Sequence, residues 1–418
     1  MLNEDTRAVR RELGDGLVLR TLGVEAELDG PCGVNAVVHG PGVGTLLRNL
    51  AVHHPDVEPR DVIWVEERGK AVATVCGIPW RLRLSGVDLN ALELGLVATL
   101  EGWRGRGLQR AMVECFRERV RERGAHLSII QGIPGFYRQF GYTYILPLEG
   151  GLVLEHRQLP AKEHGLRVRE ATSDDLPQLS SLYEGLQREL ELHAVRSGGV
   201  WIYLLQHAAG TGTEGEFWVC ERAGTAVGYM FLPQHHFGEE LVVSEAAADQ
   251  ADVGLALLGH AVALSQKRGT PGVRLSLHEG STLCQIARSL GARDTGRYAW
   301  QVACPDLGAL LDTLRPALTA RLQASRWAEY TGEVVLDFYK YALQLEVADG
   351  TVRSVEKVSS PGRGHLRAHE DQFLALVLGH RTVGELVNWY PDFIVRPGVH
   401  PLLGTLFPRL RAFLYPVY

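Results

Sequence analysis

The stretch GWRGRGLQRAMV, residues 102–113, sets Arg104, Arg106 and Arg110 among Gly102, Gly105 and Gly107 just ahead of a helix-like run. A helix start leaves about four backbone N–H groups without intrahelical partners and carries roughly half a positive charge, so an anion such as a phosphate is its natural ligand. Glycine lets the backbone turn tightly and come close to the anion, and arginine adds charge-assisted contacts. Other Gly-rich phosphate motifs fit less well. No Gly-Lys-Ser/Thr follows, which excludes a Walker loop, and Gly105 and Gly107 supply only two of the three glycines in the dinucleotide fingerprint. Taken alone, such a turn is as readily a solvated basic loop, so its setting decides.

That setting is a strand, a turn and a helix. DVIWVEE and AVATVCGIPWRLRL are β-branched runs joined by the turn-like RGK, which predicts a hairpin. NALELGLVATL is a third strand leading into the arginine turn. After it, Leu108, Ala111, Met112, Cys115, Phe116 and Val120 recur at helical spacing while Arg117, Glu118, Arg121 and Glu122 fall elsewhere, which predicts an amphipathic helix. It stops at Gly124, and AHLSIIQG reads as a buried strand beside it, so the pieces form a βαβ unit.

A second copy of this pattern begins near residue 166. LRVREATSDDLPQLSSLYEGL gives a strand, a turn with Asp174 and Asp175, and a helix; GEFWVCERAGTAVGYMFLP repeats the hairpin; LALLGHAVALSQKRG and VRLSLHEG repeat the helix and strand. The period exceeds 100 residues, which means a duplicated unit and not a solenoid. AAADQADVG stands before the second helix, with neither arginine nor a Gly-rich turn, so no phosphate site is expected there. From about residue 306 the pattern changes again. LGALLDTLRPALTARL reads as helix, GEVVLDFYKYALQLEVADGTVRSVEKV as strands with an Ala-Asp-Gly turn, and LRAHEDQFLALVLGHRTVGELV as helix. The last stretch carries Phe413, Leu414, Tyr415, Val417 and Tyr418, too apolar for a frayed end, so the tail is expected to dock.

Composition limits the partners. The chain has 418 residues, 45% hydrophobic and 22% charged, with a net charge of −6, which fits a globular protein of two to four domains and argues against nucleic acid or anionic membrane as main partner. The six cysteines contain no Cys-x-x-Cys pair, so neither zinc nor a disulfide framework is indicated. His235 and His236 are adjacent and cannot share a strand face, so no metal site is expected. With no apolar leader segment and no run of about 18 apolar residues, a soluble cytoplasmic protein is predicted.

In this setting TLEGWRGRGLQRAM, read as Arg-x-x-Gly-x-Gly/Ala from Arg104 through Gly107 to Gln109, resembles the pyrophosphate-binding motif A of the GNAT N-acetyltransferases; Gln109 stands where a small residue is usual. The resemblance implies an α/β fold with a mixed sheet and acetyl-CoA as co-substrate, with no metal. Its pyrophosphate would lie on the N–H groups of Gly105, Arg106, Gly107, Leu108 and Gln109, with Arg104 and Arg106 reaching in, while backbone groups of Val97 and Thr99 serve the pantetheine and thioester. In GFYRQFGYTY, residues 135–144, the resemblance makes Tyr137, four before Gly141, the proton donor to the departing thiolate. Phe136, Phe140, Tyr142 and Tyr144 read as core. The repeat has Ala287 four before Gly291 and so lacks that hydroxyl as well.

An active GNAT unit (1–155), a degenerate one (166–304) and a third domain (306–418) in this order resemble the Eis-type acetyltransferases, whose last domain has the sterol carrier protein fold. That resemblance implies N-acetylation of small-molecule or peptidic amines and a homo-oligomer, hexameric in that family. It leaves the acceptor open. For the amine's proton the resemblance favours the α-carboxylate of Tyr418, which would also explain the aromatic tail, while a second GNAT pattern offers Glu93, eleven residues before Arg104, as the alternative base or as a group that shapes the acceptor site. The rival reading is a protein that holds an acyl-CoA or lipid and catalyses nothing.

Overall fold

The computed structural model describes residues 8–159 and 166–418. Its first part runs β1 (Arg10–Gly14), β2 (Leu17–Thr21), α1 (Asp29–His39), α2 (Pro41–His53), β3 (Val62–Glu67), β4 (Lys70–Leu84), β5 (Val87–Thr99), α3 (Leu108–Glu122), β6 (Leu127–Ile130) and β7 (Thr143–Glu155). The hairpin expected at residues 62–84 is present. Arg68 and Gly69 at φ 50° and 80° make its two-residue turn. The amphipathic helix is α3, which buries Leu108, Met112, Cys115, Phe116 and Val120 against Ile63, Val65, Leu92 and Leu94 of the sheet. Gly124 at φ 58° turns the chain from the end of α3 toward β6.

Helices α1 and α2 carry Gly30, Gly33, Gly42 and Gly44, a composition that hides them from propensity arguments. Gly44 has a packing reason: a Cβ there would lie 2.7 Å from the Cys32 carbonyl oxygen, so its absence lets the two helices cross closely.

The second part runs β8 (Arg167–Glu170), α4 (Leu176–Arg188), β9 (Leu192–Val195), α5 (Gly198–Gln206), β10 (Gly215–Arg222), β11 (Thr225–Pro233), β12 (Leu241–Val243), β13 (Glu245–Ala248), α6 (Ala251–Arg268), β14 (Gly272–Leu275), α7 (Thr282–Ser289) and β15 (Arg293–Ala303). The two parts exchange strands. One mixed 11-stranded sheet has the order β1-β2-β3-β4-β5-β6-β15-β7-β14-β12, with β9 added on β4, while β13-β11-β10-β8 form a separate four-stranded sheet. Strand β15 of the second part thus lies between β6 and β7 of the first, and β7 pairs with β14. Separating the parts would break these ladders, so the cleft between them has a fixed floor.

The third part consists of α8 (Leu307–Thr313), α9 (Arg315–Gln323), β16 (Gly332–Asp337), β17 (Tyr341–Ala348), β18 (Thr351–Ser359), β19 (Leu366–Arg367), α10 (Glu370–Val377), α11 (Val383–Trp389), β20 (Ile394–Val395) and α12 (His400–Leu406). Its sheet has the order β18-β17-β16-β19-β20. Asp349 and Gly350, at φ 49° and 65°, form the expected turn between β17 and β18. No described helix is long and apolar enough to cross a membrane.

The tail is packed against the second part of the chain. Phe413, Leu414, Tyr415 and Val417 are buried, and the Phe413 N–H donates to the Leu192 carbonyl at 3.1 Å. Arg196 Nε donates to the Pro416 carbonyl at 2.9 Å, and the same guanidinium forms a fully buried ion pair with Glu245.

Candidate active site

Strands β5 and β6 pair in parallel only from Ala91 to Glu93 against Leu127 to Ile129. Beyond Glu93 they part, and Leu94–Val97 and Ile130–Ile133 line a cavity of about 560 Å³. A β-bulge marks the opening. Leu96 and Val97 stand against the single residue Val75, and Leu96 adopts φ 50°, a strained value for a branched side chain that costs on the order of 1–2 kcal/mol. The bulge aims the Val97 carbonyl at His39, whose Nε2 lies 2.9 Å away. The Thr99 carbonyl accepts from Arg104 Nε at 3.4 Å.

From Thr99 the chain passes through a short turn into the arginine stretch. Gly105 and Gly107 take φ 76° and 77°, and a Cβ on either would meet nothing within 4 Å, so backbone conformation calls for glycine and the space above the turn is open. Gly107 is the N-cap of α3; it supplies no side-chain cap, and the first turn of the helix holds no acidic residue. The first N–H groups, from Leu108 and Gln109 onward, therefore lack an anionic partner. Arg104 and Arg106 are exposed, with Arg106 only 3.6 Å from Glu67, an ion pair too long and too solvated to hold it. Gln109 keeps its side-chain Nε2 buried without a partner among the described residues. The start of α6 differs physically. Asp252 in its first turn accepts from the Val253 N–H at 2.9 Å and pairs with Arg222, so that end already carries its negative charge.

Glu93 sits at the apex of the wedge, 2% exposed. Its carboxylate accepts from Trp80 Nε1 at 2.9 Å and from the Tyr418 hydroxyl at 2.8 Å. Burial pushes the Glu93 carboxyl up to about 7, against the opposing pull of hydrogen bonds from Tyr418, Trp80 and Gln131. The ring of Tyr418 also meets Trp80 edge-on, with centroids 6.3 Å apart. Tyr418 thus reaches the first part of the chain, with its side-chain hydroxyl as the group that meets Glu93.

Tyr137 lies on a short 3-10 turn, Phe136–Phe140, between Gly135 and Gly141, both left-handed. Its ring crosses the end of β6 over Gly132, where a Cβ would come within 2.3 Å of it. Burial raises the Tyr137 phenol above its ordinary range, so the hydroxyl keeps its proton at neutral pH. Phe140 and Tyr142 are core, as the sequence suggests; Phe136 and Tyr144 are half-buried, and the Tyr144 hydroxyl accepts from the Gly135 N–H at 3.0 Å. Ala287 is fully buried in α7.

Glu93, Val97, Tyr137 and Tyr418 therefore line one cavity, with Arg104–Gln109 at the end of the strand that forms its wall. Trp80, Gln131, Gly132 and His39 belong to the same site and were not expected; a tryptophan or glutamine in a strand carries no signal until the pairing is known. His235 and His236 line the cavity too, and no group of three or more metal-ligating residues occurs among the described residues.

Residues 41–145 match the acetyltransferase (GNAT) domain. Comparison with curated protein sequences gave no match. Solved structures of similar fold include a probable N-acyltransferase from Enterococcus faecalis V583, with 14% identity and a TM-score of 0.73 over 96% of this chain and 100% of that one. A GCN5-related N-acetyltransferase from Kribbella flavida is 17% identical, with a TM-score of 0.67 over 96% and 98% of the two chains. Eis1 from Mycobacterium abscessus is 14% identical, with a TM-score of 0.63 over 96% and 100%. At these identities the likeness is one of fold, and the fold is the mixed α/β architecture expected. The domain match spans α2 to the start of β7, which includes the arginine turn, Glu93 and Tyr137.

Proposed function

We propose that this chain is an acetyl-CoA-dependent N-acetyltransferase that moves the acetyl group directly to an amine, with residues 166–304 as a non-catalytic acetyltransferase-like unit and 306–418 as a sterol-carrier-protein-like domain. One observation carries the reading: β5 and β6 part at a buried carboxylate of near-neutral pKa, and β5 leads straight into an open Gly-Arg turn at an uncapped helix start. A coenzyme A molecule fits that sequence of features. Its pyrophosphate would sit on the N–H groups of Gly105–Gln109 with Arg104 and Arg106 beside it, and its pantetheine arm would enter the wedge along Val97 and Thr99.

The chemistry follows from the groups around the wedge. The amine nitrogen attacks the thioester carbonyl, an N–C bond forms, the C–S bond breaks, and the nitrogen gives up one proton while the thiolate gains one. A backbone N–H of the bulged strand stabilises the oxyanion. Tyr137, kept protonated by burial, donates to the leaving sulfur. Glu93 accepts the amine's proton through the Tyr418 hydroxyl, which already donates to it, and its pKa near 7 suits a base working at neutral pH. The α-carboxylate of Tyr418 is the competing acceptor.

Calorimetric titration with coenzyme A tests the donor half of this reading. One site per chain is expected, abolished by Gly107→Glu and untouched by Asp249→Ala in the repeat. No binding, or two sites, would overturn it.

A further inference from the structure

The acetyl-transfer wedge is only part of the cavity. The opposite wall comes from the second part of the chain and from the tail, through Phe231, Ser244, Arg274, Trp300 and Phe413. Three of these carry buried polar atoms without a hydrogen-bond partner among the described residues: Ser244 Oγ, Arg274 Nε and Trp300 Nε1. The indole and guanidinium nitrogens can only donate, so the group that would satisfy them is an oxygen acceptor. Each such donor left dry disfavours the folded state, which makes an unmatched trio an uncommon feature of a packed wall.

Charge points the same way. Among the described lining residues Arg274 is the permanent cation, His39, His235 and His236 add imidazoles, Glu93 is the acidic side chain, and Tyr418 brings its α-carboxylate. Arg274 is not saturated. Its guanidinium donates to the Phe237 carbonyl, and Glu240 lies 3.8 Å from Nε, beyond hydrogen-bond reach. A second copy of the chain does not supply this wall, because β7 and β14 fix it within one chain.

We infer that the cavity holds an anion subsite at Arg274 and Ser244, and that the acceptor is an elongated amine bearing a carboxylate at the end away from the nucleophile, with the free Trp300 indole N–H, whose ring meets Trp80 5.3 Å away, facing the middle of the molecule. This rests on the acetyl-transfer reading for the amine end. Strand β14, which carries Arg274, lies four strands from β5, which carries Glu93, or roughly 19 Å at about 4.8 Å per strand. Trp300 on β15 stands between them, with Phe231 and Phe413 offering apolar surface to the middle of such a molecule. A polycationic amine would meet Arg274 with like charge.

The test compares 8-aminooctanoate and 4-(aminomethyl)benzoate with their primary amides and with 1,8-diaminooctane as acceptors, and measures octanoate binding by calorimetry. The carboxylates are expected to exceed their amides in kcat/KM by about 10- to 100-fold, the value of a charge-assisted contact, with the diamine poorest. In Arg274→Gln that ratio should fall to within about twofold and octanoate binding should vanish; Ser244→Ala, the gentler change, should reduce both. Preference for the amide or diamine, or a ratio that survives in folded Arg274→Gln, overturns the subsite. If octanoate binds through Arg274 and no amine is acetylated, the subsite stands and the transferase reading falls. Acetylation of amines with neither carboxylate preference nor octanoate binding does the reverse.

Discussion

Replacing Glu93 with glutamine should make the protein more stable and less active at once. In an unfolded chain this carboxyl ionises near 4.5, whereas in the folded protein burial holds its proton to about pH 7. Between those values the unfolded state releases a proton that the folded state keeps, so stability falls as pH rises from 4.5 and levels off above 7. At 1.36 kcal/mol for each tenfold change, the loss is about 3 kcal/mol. Glutamine has the same shape, can still accept from Trp80 or Tyr418, and cannot ionise. Urea unfolding followed by tryptophan fluorescence should therefore show Glu93→Gln more stable than the parent at pH 8.5, by up to about 3 kcal/mol, with the advantage gone near pH 4.5. The same variant should lose about 100-fold or more in kcat, and the parent's kcat/KM should rise with pH through about 7 as the carboxylate forms. A stability difference that does not depend on pH would refute the raised pKa. Full activity in Glu93→Gln, with activity lost when residues are appended after Tyr418, would pass the proton to the α-carboxylate.

Arg104→Ala and Gly107→Glu should each raise KM for acetyl-CoA, the first by removing a charge-assisted contact of about 1.5–3 kcal/mol, the second by setting a like charge against the pyrophosphate; steady-state kinetics at fixed amine checks both, and an unchanged KM moves the coenzyme elsewhere. Tyr137→Phe keeps the ring and removes only the proton, so kcat should fall by roughly 10- to 1000-fold with coenzyme affinity nearly constant, while an unaltered kcat returns Tyr137 to a packing role. Arg196→Ala leaves Glu245 buried without its cation and frees the Pro416 carbonyl, which should cost about 3–5 kcal/mol in thermal or urea unfolding and lower activity by loosening Tyr418; a wild-type Tm would show that the tail is held by its apolar side chains alone.

What could be read beforehand follows from which signals are local. The hairpin at residues 62–84, the helix after Gly107 and the arginine turn all announce themselves within about fifteen residues, through alternation, 3.6-residue spacing and positive-φ glycines. The difference between the two helix starts was legible as well: the structure adds that Asp252 occupies the start of α6, where Gly107 leaves that of α3 open. The exchange of β15 and β7 between the two parts was not legible, because strand pairing between residues as far apart as Arg293 and Val153 or Val302 and Thr143 leaves no mark in either segment. Glu93 was reachable by spacing, yet its environment was not. Trp80 and Tyr418 come to it from 13 and 325 residues away, and it is they, with burial, that decide how the carboxylate behaves. The N-terminal helices stayed hidden for the opposite reason, since their glycines argue locally against helix and only the close crossing at Gly44 explains them.

The central claim is that the wedge between β5 and β6 transfers an acetyl group to an amine, and free-thiol release from acetyl-CoA over a broad panel of primary amines measures it directly. Amine-dependent release is expected, matched one for one by acetylated amine in mass spectrometry and abolished by Gly107→Glu. A folded protein that binds acyl-CoA or lipid and releases no thiol with any amine would contradict the account and leave a binding protein in place of a transferase.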